Sequence, residues 1–97
     1  MNINNFKYFD ANDARNKTGL YVDKKKDELI DYVFAYGIIP AVNGGEYSCS
    51  VVIDANTYPQ SVRYVTTDKL KKLGYEVEWW SACITEGNKI KLLIKWN

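Results

Sequence analysis

Residues 75–97, YEVEWWSACITEGNKIKLLIKWN, decide the fold. Read at period two, Tyr75, Val77, Trp79, Ser81 and Cys83 share one face, and Glu76, Glu78, Trp80, Ala82 and Ile84 share the other. Beyond Gly87-Asn88, the residues Ile90, Leu92, Ile94 and Trp96 alternate with Lys89, Lys91, Leu93 and Lys95. Successive side chains of a strand point to opposite sides, so each run reads as a half-buried strand. The Gly-Asn pair between them predicts a β-hairpin, because glycine supplies the positive φ of a tight two-residue turn. Such a turn would set Glu86 against Lys89, Ile84 against Lys91, Ala82 against Leu93 and Trp80 against Lys95. On the opposite side it would set Cys83 against Leu92, Ser81 against Ile94 and Trp79 against Trp96. One face then holds apolar pairs and the other mixed Glu, Lys and Trp pairs.

Upstream of the hairpin, Thr66 or Thr67 is expected to cap a short helix, DKLKKL, closed by Gly74. Before it, ANTYPQSVRYV has no clear period. Tyr58 precedes Pro59 and is held extended, and Ser61 to Val65 fits either a short strand or a loop. EYSCSVVID is a half-buried strand, with Tyr47, Cys49, Val51 and Ile53 on one side and Ser48, Ser50 and Val52 on the other.

In IIPAVNGGEY, Pro40 argues for a connector and Asn43-Gly44-Gly45 for a turn. KKKDELIDYVFAYG predicts a helix capped by Asp23, with Leu29, Ile30, Val33 and Phe34 as its docking stripe and Gly37 at its end. A separate short helix is expected from Asp10, an N-cap with Asp13 three residues on, to Thr18-Gly19. Residues 1–9 form an N-terminal arm that Phe6, Tyr8 and Phe9 can pin to the body.

Helices and strands in this order give one small two-layer α+β domain over residues 1–97, with helices packed on one face of a mostly antiparallel sheet of about three strands. The EYSCSVVID strand would run parallel to the first hairpin strand if it lies beside it, or antiparallel to the second; both orders stay open.

A chain of 97 residues buries roughly 60–65% of its unfolded surface, so stability is modest. Thirteen basic residues against twelve acidic ones leave a formal charge of +1, which disfavours general binding to polyanions. No apolar run approaches membrane-spanning length and no signal peptide precedes the domain, so a cytoplasmic protein, of a host cell if viral, is expected. There is no histidine, which removes imidazole acid/base chemistry, Ser-His and Cys-His pairs and His metal sites. Cys49 and Cys83 are too few for a structural zinc site. Adjacent strands can bring them together as a disulfide, although buried free thiols are the simpler arrangement without a secretion signal. Gly44-Gly45 lacks the spacing and the Lys-Ser/Thr of a phosphate loop, and no carboxylate pair is spaced for shared proton transfer. The composition therefore points away from an enzyme and calls for no metal or other cofactor.

Several residues form a familiar set: Ala11, Ala14, Arg15 and Thr18; Ile30, Ala35 and Gly37; Leu70, Gly74, Tyr75 and Val77; Ile94 and Trp96. In this arrangement the chain resembles a group of short α+β proteins encoded by tailed bacteriophages, from which it departs by its long Ala55–Val65 segment. The resemblance implies a viral origin and a small α+β fold. That group includes virion parts and host-defence antagonists, and no functional residue carries over from it.

Two surfaces are candidates for function. The outer face of the hairpin gathers Trp80, Ala82, Ile84 and Leu93, with Lys95 beside them, as a partner-binding or self-association surface. Against this, the arm or the Ala55–Val65 segment can cover the patch, and Lys95 can lie across Trp80 as a surface cation–π pair. The second surface is NTYPQSVRY, where Tyr58, Gln60, Arg63 and Tyr64, with Arg15, suit a small nucleotide: rings to stack on a base, a guanidinium for its phosphate. Its plainer alternative is a surface loop with Tyr64 and Val65 tucked into the core. The expected function is a non-enzymatic phage accessory protein that antagonises a host factor or defence system, by binding a host protein or sequestering a small nucleotide. The alternative is a structural component of the virion acting through self-association.

Overall fold

The computed structural model describes Tyr8, residues 10–81 and residues 88–97. It is an α+β domain with three antiparallel strands on one layer and helices on the other. The chain opens with α1 (Ala11–Val33), passes through a π-helical segment (Phe34–Ile38) and continues into α2 (Ile39–Asn43). Then follow β1 (Ser48–Asp54), α3 (Gln60–Lys72), β2 (Glu76–Ser81) and β3 (Lys89–Lys95).

Asp10 is the expected N-cap, its carboxylate accepting from the Asp13 amide at 2.9 Å. The break expected at Thr18-Gly19 does not occur. A single helical glycine costs only about 1 kcal/mol, and Asp23, rather than capping a second helix, sits inside α1 at 3.7 Å from Lys26. Nor does Gly37 end the helix or Pro40 begin a loop. The helix widens just before Pro40, where an α-helical turn would set the proline ring against the Tyr36 carbonyl. In the widened turn Ile39 donates to the Phe34 carbonyl, five residues back. From Ala11 to Asn43 the rod should measure about 50 Å, in keeping with a longest molecular dimension of 57 Å. It ends at Gly44-Gly45, where Gly45 takes φ +78° and the Glu46 and Gly45 amides return to Ala41 and Val42.

The segment left open between loop and strand is α3. It starts directly after Pro59, so Thr66 and Thr67 lie inside the helix rather than capping it. Their hydroxyls donate to the carbonyls of Val62 and Arg63, both at 2.8 Å, which removes the cost of polar groups against the core. Val62, Thr66 and Leu70, spaced by four, form its buried stripe. Gly74 closes the helix as expected, at φ +100°, with the Tyr75 amide reaching back to Leu70.

The sheet order is β1-β3-β2. Of the two arrangements open from sequence, β1 takes the antiparallel one, beside β3, with Val51 opposite Leu92 and Cys49 opposite Ile94. The central strand carries two of the fully buried core residues, Leu92 and Ile94. β2 also pairs with β3 antiparallel, but in a different register from that of a two-residue Gly-Asn turn: Trp79 meets Leu92, Trp80 meets Lys91, and Glu76 meets Lys95. Each β2 residue thus meets a residue four positions earlier than expected, so the Trp80–Lys95 and Trp79–Trp96 pairs do not form. Gly87 itself lies outside the described residues. A shift by an even number keeps every side chain on its face. The core unites Leu29 and Val33 of α1, Ile38, Val51 and Ile53 of β1, Val62 and Leu70 of α3, and Leu92 and Ile94 of β3. Tyr75 takes the place expected of Trp79 against Trp96, with ring centroids 5.8 Å apart edge to face, and Phe34 completes the cluster.

Candidate functional site

All helices pack on the Val51/Leu92/Trp79 side, which leaves the other side of the sheet uncovered among the described residues. Cross-strand pairing arranges it in rows: Val52–Lys91–Trp80, Ser50–Leu93–Glu78 and Ser48–Lys95–Glu76. Trp80 is 55% exposed and Val52 46%. Beside them a half-buried Leu93 borders a depression of about 270 Å³ edged by Glu76, Glu78 and Lys95. Of the proposed partner-binding residues, Trp80, Leu93 and Lys95 therefore share this face. Ala82 and Ile84 lie outside the described residues. Lys95 stands opposite Glu76 rather than across Trp80, and the 55–65 segment folds into a turn and α3 instead of covering the patch. Of the arm, only Tyr8 is described apart from the cap, and it is exposed. Phe6 and Phe9 are outside the described residues.

The second set of residues is regrouped by α3. Gln60, Arg63 and Tyr64 stand on one helical face together with Thr67, at spacings of three, four and seven. With Trp79 of β2 they line a cleft of about 330 Å³. The Trp79 indole N–H donates to the Thr67 hydroxyl at 2.6 Å, and that hydroxyl in turn donates to the Arg63 carbonyl. Trp79 is consequently half-buried at the sheet edge rather than enclosed in the core. Tyr58 contributes its backbone: its carbonyl accepts from Arg63 Nη1 at 2.7 Å, while the Lys25 ammonium stands 5.7 Å from its ring. Tyr64 is exposed, not tucked into the core. Arg15 does not join them, because it lies on exposed α1 ten residues before Lys25, about 15 Å along the helix. Trp79 and Thr67 are the cleft residues that the sequence did not flag. Taking Pro59 as a helix start would have revealed the Gln60/Arg63/Tyr64/Thr67 face.

Cys49 is a free, half-buried thiol that would sit 3.1 Å from a Cβ built on Gly37. Cys83 is outside the described residues. Burial pushes the Cys49 thiol above its ordinary value. A thiol more reluctant to ionise when folded adds stability that is complete below the unfolded pKa and lost as pH rises through the folded one. Cys49→Ser is therefore expected to lessen the fall in melting temperature across the alkaline range, as read by circular dichroism against wild type. Equal slopes would rule out a thiol contribution.

Among the described residues, no group of three or more Cys, Asp and Glu side chains comes together to hold a metal, and no helix is long and apolar enough to cross a membrane. Comparison of the chain with known protein families, characterised proteins and solved structures gives no match in any of the three.

Proposed function

We propose that this chain is a non-catalytic binding protein that docks a partner protein across the open side of its sheet, with Trp80 as anchor. The observation that carries it is the Val52–Lys91–Trp80 row, two exposed apolar side chains flanking a lysine on a face that, among the described residues, no helix covers. Covering the exposed part of one indole contributes about 3 kcal/mol, enough for Trp80 to act as a hot spot. Lysines from β3 beside glutamates from β2 give the face mixed charge, which favours a protein surface over a polyanion. The resemblance to short phage proteins supports a partner in the infected host, a factor that this chain antagonises.

The test is retention of the partner from infected cells by wild type and by Trp80→Ala, with photo-cross-linking from position 80 to locate the contact. Trp80→Ala is expected to melt within about 3 °C of wild type, as exposed positions do, yet to lose about thirtyfold in affinity. Undiminished retention by the variant would overturn the assignment. A wild-type dimer that Trp80→Ala converts to monomer would favour self-association in a virion.

A further inference from the structure

We propose that the cleft between α3 and β2 binds a small aromatic anion: an aromatic or heteroaromatic ring linked, directly or through a sugar, to a phosphate or carboxylate. This site lies on the opposite side of the sheet from the Trp80 face and is independent of it.

Three features of the cleft carry this assignment. Arg63 is half-buried, and among the described residues its guanidinium has no carboxylate partner; the ion pairs there all belong to lysines. One of its five N–H groups is held by the Tyr58 carbonyl at 2.7 Å, which fixes the guanidinium and leaves the others to donate. A partly desolvated cation without a counter-charge is stabilised by an incoming anion more than a fully hydrated surface lysine would be.

The walls supply the ring. The Trp79 indole is tethered through its N–H to Thr67, so it meets a ligand already oriented, with little rotamer freedom left to lose. Tyr64, 78% exposed at the rim, has ample surface to bury against the same ring. Gln60 adds an amide that donates and accepts, suited to a ring edge with heteroatoms. The volume of about 330 Å³ is at the small end for ligand sites, the size of a mononucleotide and not of a dinucleotide.

The test uses three probes on the intact protein: AMP, which has ring and charge; adenosine, which has the ring alone; and inorganic phosphate, which has the charge alone. Binding is read from the Trp79 indole N–H resonance and from the melting temperature. AMP at millimolar concentration is expected to shift both, and each of the other two to bind at least about tenfold more weakly. Arg63→Gln removes the positive charge and, its amide ending two bonds short of Nη1, the bond to the Tyr58 carbonyl; with its ligand-free melting temperature measured to confirm folding, it is expected to bind AMP about tenfold to a hundredfold more weakly. Tyr64→Ala, at an exposed position, should weaken AMP and adenosine alike, and Trp80→Ala should change neither. No response to AMP, equal binding of AMP and adenosine, or full AMP binding by Arg63→Gln would each overturn the proposal.

Discussion

Leu92→Ala is expected to cost about 3–5 kcal/mol of folding stability, whereas Leu93→Ala, one residue on, should cost less than about 1 kcal/mol. Leu92 is fully buried in the central strand, between Val51 of β1 and Trp79 of β2. Its truncation leaves a cavity that both neighbouring strands and the helical layer above would have to close. Leu93 points to the open side, between Ser50 and Glu78. A domain of this size is stable by only about 5–15 kcal/mol in total, so the first variant should lose a large share of its stability, visible as a shift of the urea midpoint with unchanged slope. Comparable losses at both positions would mean that the two faces of β3 are not divided as described.

The second large effect is expected at Gly37. On an ordinary helix, glycine to alanine gains up to about 1 kcal/mol from propensity. Here a Cβ would stand 2.9 Å from Val51 Cγ1 and 3.1 Å from Cys49 Sγ. Both contacts come from short side chains on β1, and Val51, being β-branched, has little rotamer freedom with which to yield. Overpacking of this kind typically costs about 1–3 kcal/mol, so the clash should outweigh the propensity. Gly37→Ala is therefore expected to destabilise the wild-type background and to be nearly neutral with Val51→Ala, which removes the nearest atom. A double-mutant cycle by chemical denaturation measures this coupling. Additive effects at the two positions would show that helix and strand do not approach closely there.

Gly37 also shows why part of the fold was hard to read locally. Its position after an apolar stripe looks like a helix end, and Pro40 three residues later strengthens the impression. What glycine provides is instead close contact between the helical layer and β1, and the π-helical turn absorbs the proline. The cleft was hidden for a related reason. The chemistry of Gln60, Arg63 and Tyr64 is legible in the sequence, but their common face exists only because a helix begins directly after Pro59. By its face alone Trp79 belongs with the apolar cross-strand pairs. Its place on an edge strand is what brings its N–H to Thr67 and a part of its ring into the cleft.

Local pattern is enough to show which side of each strand is apolar, the cap at Asp10 and the stop at Gly74, because each depends on bonded geometry and on neighbours a few residues away. Strand order, the register of β2 on β3 and the unbroken helix through Gly19 and Pro40 depend instead on packing between distant segments. Registers that differ by four residues bury the same face of both strands. Period-two patterning therefore cannot distinguish them, and the choice falls to long-range contacts such as Tyr75 on Trp96 and Trp79 on Leu92.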